Sequence, residues 1–195
     1  MRIGIDFDNT IACYDGVFHA AAVAKALIPA DLPTDKASVR NHLRAIDRED
    51  EWTALQGYVY GARMDLAACY PGVQAFFQRA QGLGHELFII SHKTRTPYLG
   101  PAYDLHEAAR GFLVAQGLAR YPAHFELTKE AKLERIGALG CGVFIDDLPE
   151  FLAEPAFPAA TRPLLFDPHD SHADETAFAR FSSWAELSVH LLGDG

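Results

Sequence analysis

Long apolar stretches are missing from this 195-residue chain, because glycines and charges interrupt every run before the roughly 20 residues that a bilayer span requires. A membrane-spanning helix is therefore not expected. Cysteine is scarce: Cys13, Cys69 and Cys141 are odd in number and widely scattered, which argues against both a disulfide framework and a paired zinc site. Each thiol reads as a small buried apolar residue in a reduced protein. Positive charge is in deficit, with 17 Lys and Arg against 26 Asp and Glu, a formal net charge of -9 and a pI near 5.4. Such a surface has no general attraction for a nucleic acid polymer or an anionic membrane. Met1-Arg2-Ile3-Gly4-Ile5 lacks the basic head and long apolar region of a secretory signal, so a cytoplasmic protein is expected. Repeats and low-complexity tracts are absent too; oligomeric state is not readable from the chain.

What is present suits a folded domain: 49% hydrophobic residues, 22% charged, and enough length to bury a core. Arg2 to Phe7 is a short, mostly apolar run that ends in carboxylates, as a buried parallel strand opening into a site would. Glu86 to Ile90, Val143 to Ile145 and Pro163 to Phe166 follow the same pattern, with a weaker run near His124 to Leu127. Helical periodicity separates them over Val73 to Leu83, Leu105 to Gly117 and Lys129 to Gly140, and a last helix near Ser183 to Leu192 opens on an N-cap serine with Glu186 three residues on. Strands alternating with helices predict an α/β fold, a doubly wound parallel sheet with right-handed crossovers and ligands at the carboxyl ends of its strands. The stretch between the first strand and Pro71 breaks that rhythm. It carries helical signals, among them an amphipathic region over Val39 to Leu55, and reads as an inserted small helical subdomain. The predicted division is a core of 1–13 and 69–195 and a helical insertion of 14–68.

The chemistry-bearing residues gather at strand ends. Asp6 and Asp8 lie two apart, so in extended backbone they leave on the same side. Two carboxylates so close resolve their repulsion through a divalent cation or a split in their pKa values. An ionised one can attack phosphorus while a protonated one donates to the leaving oxygen. Asp146 and Asp147 end another apolar run and bring a second acidic pair to the same edge. Four converging carboxylates call for a cation, and hard oxygen ligands with room for water and phosphate favour Mg²⁺ over zinc. Ser91 ends the Phe88-Ile89-Ile90 strand, where its hydroxyl could bind a phosphate oxygen. Phosphoryl transfer also needs a fixed cation. Lys129 and Lys132 are the candidates, Lys129 first because it is nearer the helix start. His92 and Lys93 follow Ser91 in a basic segment that could line a substrate pocket. Trp52, Gln56, Tyr58, Tyr60 and Arg63 read as packing of the helical insertion, His169, Asp170, His172 and Asp174 as a polar loop, and Trp184 as packing on the sheet.

These motifs resemble those of the haloacid dehalogenase-like hydrolases. Asp6-Phe7-Asp8-Asn9-Thr10 is similar to the first motif of that superfamily, Ser91 to the second, Lys129 or Lys132 to the third and Asp146-Asp147 to the fourth, in the expected order over nearly the whole chain. The resemblance implies a Rossmann-like core with a helical cap that closes over substrate. It implies Asp6 as nucleophile, Asp8 as general acid and then base, and Mg²⁺ bound by Asp6, the Asp8 carbonyl and Asp146 or Asp147. Asn9, Thr10, Ser91, His92 and Lys93 are the expected substrate contacts. An aspartate at Asp8 resembles the phosphatases rather than the dehalogenases. The expected function is a Mg²⁺-dependent phosphatase of a small soluble phosphorylated metabolite acting through an aspartyl-phosphate. Alternatives are a nucleoside monophosphatase, suggested by Ile145-Asp146-Asp147, and, from other classes, a phospho-aspartate signalling module or a silent binding protein. In receiver domains the acidic pair and the phosphorylated aspartate occur in a different order, and there is no inserted cap.

Overall fold

The computed structural model describes residues 1–193. In chain order the elements are β1 (Arg2–Ile5), β2 (Ala12–Cys13), α1 (Val17–Ala24), α2 (Lys36–Ala45), α3 (Glu49–Ala62), a short 3₁₀ helix (Met64–Leu66), β3 (Ala68–Cys69), α4 (Val73–Gly82) and β4 (Glu86–His92). They continue with α5 (Leu105–Ala115), β5 (Ala123–Glu126), α6 (Lys129–Ala138), β6 (Val143–Asp146), α7 (Pro149–Leu152), β7 (Arg162–Phe166), β8 (Ala179–Phe181) and α8 (Trp184–Leu192). Among the described residues no helix is long and apolar enough to cross a membrane.

The chain forms two compact units. The first comprises Met1–Ala12, Cys69–Lys93 and the chain from Gln116 onward; the second comprises Cys13–Ala68 and Thr94–Ala115. The sheet of the first unit has the order β5-β4-β1-β6-β7-β8, parallel throughout. The chain builds outward from β1 to β4 and β5 on one side, and to β6, β7 and β8 on the other. The carboxyl end of β1 is thus a switch point, where doubly wound sheets bind their ligands. Alternation along the strands assigns the two faces. Ile90, Phe144 and Leu165 pack with Leu133 and Ile136 of α6 and Phe151 and Leu152 of α7. On the opposite face Phe166 meets Trp184 of α8, which also touches Phe76 and Phe77 of α4. Gly4 of β1 sits beneath Phe144: a Cβ there would come within 2.6 Å of the ring, so only glycine lets these adjacent strands keep that aromatic between them.

The second unit is helical, with Phe18 of α1 against Trp52 and Tyr60 of α3, and Tyr14 against Tyr60. The single helical region expected over 39–55 is two helices. They are broken at Ile46–Arg48, where Asp47 takes a positive φ of 58° and the Arg48 N–H returns to the Leu43 carbonyl. The sequence reading placed residues 94–115 in the core, but the structure groups them with the helical unit. The reason is a pair of glycines on α3. At Gly57 a Cβ would fall 2.4 Å from the Pro97 Cβ, and at Gly61 2.4 Å from the Tyr103 Cβ; the bare backbone of the helix makes the seat for this segment. β8, too short and mixed to stand out by pattern, extends the sheet by one strand.

Candidate active site

β1 stops at Ile5, and Asp6 is the next residue. Its N–H still donates to the Ile145 carbonyl at 2.9 Å, so the ladder with β6 fixes it beside Asp146. Pairing of Gly4 with Phe144 and Ile5 with Ile145 puts Asp6 and Asp146 on the face covered by α6. After Phe7 the chain turns sharply, with the Phe7 carbonyl accepting from both Ile11 and Ala12 and Asn9 in left-handed backbone at φ 58°, a conformation asparagine tolerates. Thr10 closes the turn: its hydroxyl donates to Asp147 Oδ1 at 3.3 Å and its carbonyl accepts the indole N–H of Trp184 at 3.1 Å.

α6 begins at Thr128, whose side chain caps the Ala131 N–H, and delivers Lys132 one turn in. The Lys132 ammonium lies 2.6 Å from Asp6 Oδ1 and 2.6 Å from Asp146 Oδ2, with all three side chains no more than 7% exposed. The ammonium also lies over the rings of Phe144 and Phe151, at 5.3 and 4.0 Å from the centroids. Lys129, taken first from sequence, instead points outward and pairs with Glu154 at 3.9 Å, with 46% of its side chain exposed. One turn of helix separates the two lysines, and α6 points only the second at the strand ends.

Asp6, Asp146 and Asp147 are, among the described residues, the group able to share a cation, with ligand atoms all within 4.8 Å of one another. Burial pushes Asp6 up to about 7, opposed by Lys132 and reinforced by Asp146 and Asp8. For Lys132 burial works against the charge, yet Asp146 and Asp6 together hold its pKa above the ordinary lysine value. Asp6 and Asp146 face one ammonium and Asp147 lies close by, which leaves a negative excess. The all-oxygen donor set and that excess suit a hard dication such as Mg²⁺. The carboxylate of Asp8 is outside this group: both its oxygens accept from the Lys93 ammonium, at 3.0 and 2.8 Å.

Ser91 is buried at the carboxyl end of β4, in register with Phe125 of β5 and, by alternation, on the face of Ile89. His92 is half-buried, and burial followed by the nearby Lys132 lowers its pKa. Lys93, expected from its place after Ser91 to contact substrate, is buried against Asp8 instead. The basic run over 91–95 gives no sign of that ion pair, nor does any spacing signal the Trp184 bond to Thr10. Residues 169–174 form a turn organised by Asp167, which accepts from the Ser171 and His172 N–H groups and from Arg180.

No protein-family model matches the chain, and no curated protein matches it. Solved structures do. A HAD-superfamily hydrolase from Ehrlichia chaffeensis is 15% identical, with a TM-score of 0.60, covering 98% of this chain and 95% of that one. CbbY from Rhodobacter sphaeroides, in complex with phosphate, is 17% identical with a TM-score of 0.59 and 95% of each chain covered. A HAD phosphatase from Thermococcus onnurineus is 16% identical with a TM-score of 0.55, covering 99% and 98%. The chain has the haloacid dehalogenase-like fold.

Proposed function

We propose that this chain is a Mg²⁺-dependent phosphomonoester hydrolase of small phosphorylated molecules, working through an aspartyl-phosphate on Asp6. The observation that carries the reading is the buried Asp6–Lys132–Asp146 cluster, joined by Asp147, at the switch point of the sheet. A cluster built only for stability has little reason to bury two carboxylates on one lysine with a third, half-buried, beside them, since such burial costs more than apolar packing. The reading is further supported by neighbours of the same fold that include a phosphatase and a complex with phosphate.

In this scheme an Asp6 oxygen attacks phosphorus and the bond from phosphorus to the leaving oxygen breaks. Asp8, which enters the step carrying a proton on one oxygen with the other still accepting from Lys93, supplies the proton that the leaving oxygen needs. Asp8 then takes a proton from water, whose oxygen attacks phosphorus and frees Asp6. Lys132 holds Asp6 in place and offsets the negative charge gathered around it, and Ser91 and His92, at the end of the neighbouring strand, line the phosphate side. Asp6, Asp146 and Asp147, with the Asp8 carbonyl, would hold Mg²⁺, which supplies electrostatic stabilisation of the phosphoryl oxygens when bound.

Purified protein with Mg²⁺ is expected to release phosphate from a generic aryl phosphate, and Asp6→Asn to abolish that release while the far-ultraviolet spectrum stays native. A chelator should stop the reaction and added Mg²⁺ restart it. Full turnover by Asp6→Asn would remove Asp6 as nucleophile, and turnover unaffected by chelation would remove the metal. A panel of phosphorylated sugars, organic acids and nucleotides identifies the substrate class.

A further inference from the structure

The Lys93 ion pair is unused by the scheme above. We infer that Lys93 is a positioning residue for Asp8 and that residues 94–104 tether it to the helical unit; this rests on the hydrolase reading. The Lys93 side chain is 3% exposed and its ammonium spans both oxygens of Asp8, 5.5 Å from the centroid of the Phe7 ring. An ammonium on both oxygens fixes the plane and the rotamer of a carboxylate. Asp8 therefore moves toward a leaving group only by giving up one of those bonds or by taking Lys93 with it.

Lys93 is itself placed from two directions. Its N–H donates to the Glu126 carbonyl at 2.8 Å, which carries the β4–β5 ladder one residue past the end of β4. It also ends the Cys69–Lys93 stretch of the first unit, and Thr94 opens the segment that belongs to the helical one. Within that unit the segment is anchored at Pro97 against Gly57, at Tyr103 against Gly61, and by the Leu105 N–H on the Arg95 carbonyl at 2.9 Å. Four residues of backbone from Lys93 to Pro97 reach at most about 14 Å, so a displacement of the anchored segment has little slack before it pulls on Lys93.

The test is steady-state phosphate release from an aryl phosphate with Mg²⁺ by wild type, Lys93→Met, Asp8→Asn, the double variant and Gly61→Ala, with melting curves of each. A group acting through a general acid is expected to cost about tenfold or more in kcat with KM nearly unchanged. Lys93→Met should add no further loss to the residual rate of Asp8→Asn, because the two substitutions remove one interaction. Gly61→Ala gains helix propensity against an overpacking cost of similar size or larger, and by forcing Tyr103 aside should lower kcat at a temperature where the melting curve shows the variant folded. Lys93→Gln carries the same comparison if Lys93→Met does not fold. A raised KM with kcat retained, or a full multiplicative loss in the double variant, overturns the positioning role; an unchanged kcat in Gly61→Ala overturns the tether. Wild type inactive on every phosphate ester overturns the hydrolase reading instead, and this inference with it.

Discussion

Replacing Lys132 by methionine separates the two lysines of α6 in a single experiment. The thioether is of similar length and apolar, but it deletes the ammonium together with its contacts over the Phe144 and Phe151 rings, leaving Asp6 and Asp146 buried at 7% and 0% side-chain exposure. Breaking a buried ion pair from one side costs about 3–5 kcal/mol, because the remaining charge has neither partner nor water. For a chain of this size each kcal/mol moves the melting temperature by about 2–4 °C, so Lys132→Met should melt roughly 6–20 °C below wild type. Lys129→Met removes a half-exposed pair with a 3.9 Å separation, worth about 0–1 kcal/mol and at most about 4 °C. Calorimetry in chelator at neutral pH measures both. Adding Asp6→Asn and Asp146→Asn to Lys132→Met should recover much of the loss, since the uncompensated charge is then gone, whereas a packing defect would persist. Equal shifts for the two lysines, or no recovery in the triple variant, would refute the argument.

Trp184→Phe keeps the ring packing but leaves the buried Thr10 carbonyl without its donor; urea unfolding should show a loss of about 1–3 kcal/mol, and a native-like midpoint would mean that the bond contributes nothing. Gly4→Ala forces a Cβ to within 2.6 Å of Phe144 and should cost about 1–3 kcal/mol by overpacking, read as a lowered midpoint with an unchanged slope. Burial would raise the pKa of Asp167, but the N–H groups of His172 and Ser171 together with Arg180 outweigh it and hold the carboxyl below its ordinary value. Its contribution is therefore complete above the unfolded carboxylate pKa of about 3.9 and fades as pH falls through the lower folded value. Asp167→Asn should flatten the acid end of the stability profile, and an identical profile would exclude Asp167 as its source.

The strand ends were legible because a parallel strand buried on both faces leaves a bare apolar run, and carboxylates placed where it stops have few structural reasons to be there. That logic picked out Asp6, Asp146, Asp147 and Ser91 as residues at or just past strand ends, where they lie, and read the sheet as parallel. It did not choose between Lys129 and Lys132, since which residue of a first helical turn faces the site depends on how α6 approaches the sheet, and no local pattern records that angle. Residues 94–115 were assigned to the core because they follow a strand and begin a helix as a crossover does. What seats part of the segment elsewhere is the missing side chains of Gly57 and Gly61, which a hydrophobicity pattern cannot register. The Lys93 pair was hidden for a related reason: a lysine in a basic run just past Ser91 reads as a substrate contact unless its partner, 85 residues away, is known.

The contacts that complete the site also order its assembly in time. Asp6 meets Lys132 across 126 residues, and Thr10 meets Trp184 across 174. At a synthesis rate of about 5–20 residues per second, the turn after β1 exists for roughly 10–35 s before the tryptophan that clasps it has been made. For most of that interval, until Lys132 and β6 are made, the first strand is an apolar ribbon with an acidic tip, lacking both that neighbour and its counter-charge. The carboxylates that later crowd together are then well hydrated and keep the young chain polar at that end. The acidic cluster, costly in the finished protein, begins as the soluble end of an otherwise sticky strand.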